Sequence, residues 1–410
     1  VIPVTTLVSS EGTVSLEIKG RKYLKSDQEF SRIDKPIIFW NITSRCNLRC
    51  KHCYIGNYNK DLNTCSLLNI ALKIKYLNPS LIIITGGEPL IRDDIFRIIK
   101  TLSLEKFKIA LSSNGTLINE HIADFLKKSN ICYVGISIES IVPELHDEFR
   151  GVSGSWMKAI HGIEVLKRYD IAVGIRTTLT RQNIENALDV VKLCIKHNVK
   201  RLAYYYLVPS GRGLDIVDLL PTAEQHIAFL EKIMKIAKMY SKEVEILTVD
   251  NPSDGIYLAL RTSENEDEFY EKLKFVGRVG TCSAGRKVLS IYPDGEVYPC
   301  QFLNNVSMGN ALRDDLLKIW HEPKEPIVSR FREAFTKGKY LCSNCIFVSY
   351  CGGCRVRAQV LTGDILGLDP HCALIHAKLV KHHLDLKSWQ WKIINEVTSK
   401  LQFSFQGVSS

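Results

Sequence analysis

The sequence predicts an α/β fold, a parallel sheet curled into a partial, TIM-like (β/α)6 barrel and followed by a small cysteine-rich domain. Three observations carry this. Short apolar, β-branched runs alternate with amphipathic stretches through residues 36–240, and strand-helix alternation at this spacing implies parallel strands. Polar residues gather where the apolar runs end, the position at which parallel barrels hold their ligands. Seven cysteines then fall in the 91 residues 282–372, a density that core packing does not explain.

Taken in order, residues 1–35 read as a small hairpin turning near Ser10-Glu11-Gly12. PIIFWNIT (36–43) is the first strand of the barrel and runs into SRCNLRCKHCY, where Cys46, Cys50 and Cys53 stand at C-x3-C-x2-C. A cubane cluster with three thiolate ligands keeps one iron open to a substrate or cofactor. A zinc site and buried apolar thiols are the competing readings, but only the isolated Cys65 follows to close a tetrahedron. Arg45, Arg49 and Lys51 bring positive charge to a loop whose thiolate-ligated cluster would be negative. SLIIIT (80–85) ends at Gly86-Gly87-Glu88-Pro89. Its glycines allow close backbone approach to a ligand, Glu88 can pair with an ammonium, and Pro89 stops the strand.

KIALSS (108–113) precedes a helix near 119–128, and YVGISI (133–138) one near 157–168. AVGIRTTL (172–179) is followed by a helix near 184–197, and RLAYYYLV (201–208) by the amphipathic stretch 222–240. The strand ends carry Ser113-Asn114-Gly115, Ser137, Glu139, Thr177, Thr178, Ser210 and Arg212, each equally able to serve as a cap or turn residue. Arg176, Tyr204, Tyr205, Tyr206 and Arg212 are candidates for lining a substrate pocket. Residues 241–281 read as a linker, 282–375 as the cysteine-rich domain, and 376–410 as a basic amphipathic helix with Trp389 and Trp391 and a polar tail; packing on the body is the default for this segment, with a partner or a membrane surface as alternatives.

The 410 residues, 45% hydrophobic and 24% charged, suffice for one full domain and a smaller one. Ten of the 13 cysteines sit in ligand-like spacings, and Cys65, Cys132 and Cys194 read as core. With no signal peptide or transmembrane run, a reducing cytoplasm is expected. The net charge of +10 suits an anionic substrate, although it would equally suit nucleic acid or solubility; nucleic acid is not expected as a partner. In the second cysteine group, Cys282, Cys300, Cys342, Cys345, Cys351, Cys354 and Cys372, the C-x2-C pairs fit a zinc ribbon as well as iron-sulfur clusters.

The motif around Cys46, Cys50 and Cys53, with His52 before the third cysteine, resembles the radical S-adenosylmethionine (SAM) superfamily. That resemblance implies a [4Fe-4S] cluster whose open iron binds the amino and carboxylate groups of SAM, and a reductive cleavage giving methionine and a 5′-deoxyadenosyl radical. Gly86, Gly87, Glu88 and Pro89 look like the loop that holds the SAM amino group. By similarity, Asn114 and Ser137 contact the ribose and Arg150 resembles a carboxylate-binding arginine. The second cysteine group resembles the SPASM extension with its one or two auxiliary [4Fe-4S] clusters. There Cys342, Cys345, Cys351 and Cys372 would complete one cluster, and Cys282, Cys300 and Cys354 would hold the other. This chain departs from the common pattern in the two-residue gap between Cys351 and Cys354 and in lacking a cysteine shortly before Cys282.

Longer stretches, among them KPIIFWNITSRCNLRCKHCY, FRGVSGSW, YYYLVPSGRG and CGGCRVRAQVLTGD, are similar to tetrapyrrole-modifying SPASM enzymes. The resemblance implies decarboxylation of two propionates of iron-coproporphyrin III to vinyls in haem b biosynthesis, with a ferredoxin or flavodoxin as electron donor. Propionate removal in nitrite-reductase haem synthesis and modification of a ribosomal peptide are the alternative activities, and a non-enzymatic zinc protein is the third class.

Overall fold

The computed structural model describes residues 1–9, 33–56, 58, 60–337, 342 and 345–400. Its strands are β1 (Ile2–Pro3), β2 (Ile37–Asn41), β3 (Leu81–Thr85), β4 (Ile109–Ser113), β5 (Tyr133–Ser137), β6 (Val173–Leu179), β7 (Arg201–Tyr206), β8 (Glu245–Val249), β9 (Val288–Ile291), β10 (Glu296–Tyr298) and β11 (Gly309–Asn310). They form one sheet in the order β1-β8-β7-β6-β5-β4-β3-β2-β9-β10-β11. From β2 to β8 every neighbour is parallel and sequential. The edges are β1 and β11, so the sheet curls without closing, and the fold is a partial barrel.

Alternation sets the two faces of this sheet. Ile38, Trp40, Ile82, Ile84, Ile136, Ile175, Leu202, Tyr204 and Ile246 are all fully buried. They share one parity within their strands and pack beneath the helices, each contributing roughly 1.5–3 kcal/mol of burial. The helices start at chemically apt places: Asn119 accepts from the Ile122 amide ahead of Glu120–Lys128, and Thr222 with Gln225 forms a capping box ahead of Ala223–Met239. The helix expected near 184–197 is two pieces, Ile184–Ala187 and Val190–Lys196.

Segment 241–281, read from sequence as a linker, is ordered secondary structure. It supplies β8, parallel to β7, then helices Ser253–Thr262 and Glu266–Val279. The charged run ahead of β8 masks a five-residue strand whose Ile246 and Thr248 are completely buried. The cysteine-rich segment is stitched into the same sheet, because β9 pairs with β2 in parallel and leads to the antiparallel β10 and β11. At the N-terminus, residues 2–8 form β1 against β8 and the short helix Val4–Val8; the turn expected at Ser10-Glu11-Gly12 lies outside the described residues. The C-terminal helix Ser388–Lys400 packs through Ile393, Ile394 and Val397, and Gln390 donates from Nε2 to the Leu260 carbonyl at 2.7 Å. No helix among the described residues is long and apolar enough to cross a membrane.

A candidate active site at the carboxyl ends of the strands

The loop after β2 carries Cys46, Cys50 and Cys53, and it is fastened from every side. Asp61 accepts from the Ser44 amide (2.7 Å), from Ser44 Oγ (2.6 Å) and from Thr43 Oγ1, and these bonds outweigh burial to hold its carboxyl below the ordinary value. Arg92, buried and paired with Asp94 at 2.7 Å, donates to the Ile42 carbonyl at 3.0 Å. The amides of Arg49 and Lys51 bond to the carbonyls of Arg150 and Phe149, each at 3.0 Å. From the other side, the Arg212 amide reaches the Cys53 carbonyl at 2.9 Å and its Nε reaches the Cys50 carbonyl at 3.0 Å.

The loop after β3 lies directly on this one. The Gly87 amide bonds to Thr43 O and the Glu88 amide to Arg45 O, both at 2.8 Å. A Cβ on Gly86, whose φ is +135°, would stand 2.4 Å from the Thr43 carbonyl oxygen, and one on Gly87 would stand 2.1 Å from that of Arg45. Here the glycines serve contact between two loops as well as access to a ligand. Glu88 departs from its expected ammonium-pairing role: its buried carboxylate accepts from Leu90 N, Ser113 Oγ and Asn114 N (2.7 Å) and does not line the cavity. It anchors the β4 loop instead. Pro89 opens a short 3-10 turn at Pro89–Ile91 and also lies off the cavity wall.

The cavity above these loops contains about 1120 Å³ of unfilled space, part of it open to solvent. It is lined by Cys46, Cys50, Cys53, His52, Gly86 and Gly87 from the first two loops. Asn114, Ser137, Arg150, Arg176, Tyr206 and Arg212 join them, so most of the predicted set converges on one space. Tyr204 does not. The pleat turns it outward, where its hydroxyl donates to the Ala187 carbonyl at 3.1 Å and its ring meets Phe229, and the neighbour Tyr205 faces the cavity. Arg212 reaches the cavity but spends donors on the cluster loop, including Nη1 on the Gly56 carbonyl at 3.4 Å. Arg176 is pinned to Ser112 Oγ and the Gly135 carbonyl, each at 2.7 Å. Phe39, Thr85, Asp250, Gln301 and Phe302 also line it, and none of these five was among the residues expected at the site.

Arg150 is the electrostatic centre of the site. Its Nη2 pairs with Glu139 and its Nη1 donates to Cys50 Sγ at 3.4 Å, while Nε is buried with no partner. His52 stacks on Phe149 at 4.8 Å, its Nδ1 is buried without a partner, and burial drives its imidazole well below the ordinary value. Neither nitrogen has a partner among the described residues, both belong to residues that line the cavity, and a buried polar atom without a partner is costly unless a ligand satisfies it. Burial first, then the neighbouring Glu88, Cys50 and Cys53, lifts Cys46 to about 11, against a bond from the Leu48 amide. Thiols gathered in this way become thiolates when metal binds. The three-thiol set, the amide and guanidinium bonds to sulfur, and the orphaned donors fit a cluster with an adjoining polar cofactor.

The second cysteine group divides in two. Cys342, Cys345, Cys351 and Cys372 line, with Phe347, Val348, Leu368 and Leu374, a space of about 420 Å³ that is partly open to solvent. Their sulfurs receive bonds from Arg355 Nη2 (3.3 Å), Phe347 N (3.5 Å) and Gly353 N (3.4 Å), as iron-sulfur ligands commonly do. Cys282, Cys300 and Cys354 gather beside them, close enough that Cys282 and Cys354 add to burial in raising the Cys300 pKa, and Cys282 does the same for Cys354. Cys345 and Cys354 rise to about 11 and Cys372 to about 12, burial being the first cause in each. All 13 cysteines are free of disulfides.

An open parallel barrel with a three-thiol loop at its carboxyl end, followed by two further thiol groups, defines an enzyme that uses an iron-sulfur cluster to activate a bound cofactor. Residues 40–194 match the Radical SAM superfamily and residues 282–346 the SPASM iron-sulfur cluster-binding domain, and the chain belongs to the radical SAM superfamily. Its cofactors are therefore SAM and [4Fe-4S] clusters. It is 30% identical over 84% of its length to an Fe-coproporphyrin III synthase of Methanosarcina barkeri, covering 90% of that protein. It is 31% identical over 84% to a pre-heme d1 synthase of Dinoroseobacter shibae (87% of that chain), and 28% over 82% to an AdoMet-dependent heme synthase of Methanosarcina barkeri (95%). Among solved structures, Streptococcus suis SuiB bound to precursor peptide SuiA shares the fold with a TM-score of 0.64 at 19% identity, over 83% of this chain and 76% of that one.

Proposed function

We propose that this radical SAM enzyme oxidatively decarboxylates two propionate side chains of iron-coproporphyrin III to vinyl groups, giving haem b. The observation that carries the reading is the composition of the cavity: Phe39, Tyr205, Leu207, Val208 and Phe302 line the same space as Arg150, Arg176 and the three thiols. A flat apolar macrocycle edged with carboxylates calls for that pairing of walls and cations. The tetrapyrrole names of the three relatives support the same substrate class.

When bound at Cys46, Cys50 and Cys53, the cluster and SAM supply the radical that takes a hydrogen atom from a propionate β-carbon, after which loss of CO2 leaves the vinyl and one electron. The chain's own residues do the positioning. Glu88 fixes the Asn114 amide, which with Ser137 orients the ribose. Arg150 Nε and His52 Nδ1 offer polar contacts to the cofactor, and Arg176 faces the substrate carboxylates. Cys342, Cys345, Cys351 and Cys372 would hold a second cluster able to accept the surplus electron, and an external one-electron donor of the ferredoxin or flavodoxin class would supply the electron for SAM cleavage.

Anaerobic incubation with SAM, dithionite and iron-coproporphyrin III, followed by mass spectrometry, tests this. Loss of two formic-acid equivalents per porphyrin is expected. Loss of whole propionate chains would move the enzyme to the pre-heme d1 type of reaction, and an unchanged porphyrin would overturn the reading. Replacing Cys342 and Cys345 by alanine should leave hydrogen abstraction and stop vinyl formation.

A further inference from the structure

Behind the cavity wall, three histidines from two distant parts of the chain meet in the interior. His226 lies on the helix Ala223–Met239, His376 on the helix Ala373–Leu379, and His371 just before Cys372. Their relative exposures are 0%, 7% and 4%. His226 stacks on His371 at 4.7 Å, and His376 stands edge-on to both, at 5.0 and 4.7 Å. One nitrogen from each ring lies within 4.8 Å of the other two.

The surrounding bonds fix where the ring protons are. Asn251 Oδ1 accepts from Ser253 Oγ and Arg357 Nη2, so its Nδ2 is the donor end, and its two hydrogens go to Asp254 Oδ1 (2.8 Å) and the His371 carbonyl (3.1 Å). His226 Nε2, 2.9 Å from the same Asp254 oxygen, is then the donor to that carboxylate. His376 Nε2 lies 3.1 Å from the Pro370 carbonyl, which only accepts, so that nitrogen also carries a hydrogen. With both rings neutral, the two remaining Nδ1 lone pairs point at each other across 2.8 Å. That contact is repulsive unless a cation lies there. A shared proton would satisfy these two nitrogens and leave the third: His371 Nε2 is fully buried and has no partner among the described residues.

We propose that His226 Nδ1, His376 Nδ1 and His371 Nε2 bind one divalent metal ion of the zinc class, distinct from the iron-sulfur clusters. Three imidazoles suit such an ion, and the Asp254 and Pro370 oxygens already hold the far N–H groups of two rings, as supporting groups do for metal-bound histidines. Tetrahedral binding at about 2.0–2.1 Å needs nitrogens about 3.3 Å apart, so loading opens the Nδ1 pair by about half an ångström and draws in the longer separations, which reach up to 4.8 Å. The ion ties the barrel helix to the segment carrying Cys372, and Tyr206, whose ring lies 5.5 Å from His371, connects the site to the cavity wall.

Holoprotein produced in zinc-supplemented medium, purified without air and dialysed against a chelator should retain about one zinc per chain by mass spectrometry of the elements. X-ray absorption at the zinc edge should show nitrogen near about 2.0 Å and no sulfur near about 2.3 Å. His371→Ala should lose the zinc with iron content unchanged. Less than about a tenth of an equivalent of zinc in folded wild-type holoprotein, or zinc held by sulfur, would overturn the proposal. The absorption measurement needs no variant, so a misfolded substitution does not block the decision.

Discussion

Replacing Arg150 by methionine separates what this residue does for the fold from what it does for the chemistry. Arg150 is 8% and Glu139 2% exposed by side chain, and the pair is completed by Thr178 N on Glu139 Oε2 at 2.6 Å and by Arg150 Nη1 on Cys50 Sγ at 3.4 Å. Removing the guanidinium strands a buried carboxylate, which costs about 3–5 kcal/mol. Burial already raises the Glu139 pKa, with Arg150 opposing it, so in the variant the group takes up a proton as pH falls. Anaerobic urea unfolding at pH 8 should therefore show a loss of about 3 kcal/mol or more, shrinking toward pH 6. Adding Glu139→Leu should recover most of it, because an apolar pair replaces the ions. It should not recover SAM cleavage, since the bond to Cys50 and the free Nε are still missing. A loss under about 1 kcal/mol in the single variant, or 5′-deoxyadenosine formation restored in the double, would refute this account of Arg150.

Four further substitutions address the loops and walls. Gly87→Ala places a methyl 2.1 Å from the Arg45 carbonyl oxygen and should separate the two loops, losing about 2 kcal/mol with the two backbone bonds and weakening SAM binding at least tenfold by calorimetry. Tyr204→Phe, which removes only the bond to Ala187, should cost about 1 kcal/mol and leave turnover unchanged, whereas Tyr205→Ala should raise the porphyrin KM. Asp250 has an unpartnered buried oxygen, and burial pushes its carboxyl up to about 6 from 3.8. The folded state thus holds this proton more tightly and stability falls as pH rises from about 4 to 6, by at most about 3 kcal/mol at about 1.4 kcal/mol per tenfold. Asp250→Asn should be more stable than wild type at pH 8, with the difference narrowing below pH 6; a difference independent of pH would contradict the cause given.

What the sequence makes legible follows from the range of each signal. The six strands from 36 to 208 are short, largely apolar runs, and all six are present as β2 to β7. Strand β8 is hidden by its charged flank, and β9 by its place among cysteines, because pairing partners more than 200 residues apart leave no local trace. The thiol loop is legible because three ligands fit within eight residues. The residues that hold it, Asp61, Arg92 and Arg212, come from three separate segments and carry no spacing signal. Tyr204, Tyr205 and Tyr206 show the limit of strand parity: three tyrosines in a row give no alternation, so only the placement of β7 decides that Tyr205 and Tyr206 line the cavity and Tyr204 does not. The histidines at 226, 371 and 376 meet only because the helix Ala373–Leu379 packs against the barrel helix Ala223–Met239.

The central claim is that Cys46, Cys50 and Cys53 hold a cluster with an open iron that cleaves SAM. Its most direct test is the yield of 5′-deoxyadenosine from reconstituted, dithionite-reduced protein, beside Cys50→Ala matched for iron in the second cysteine group. The wild type should produce 5′-deoxyadenosine and methionine in equal amounts and the variant none. A wild type that carries its reduced [4Fe-4S] signal and yet forms no 5′-deoxyadenosine, or a variant that forms it undiminished, would contradict the account.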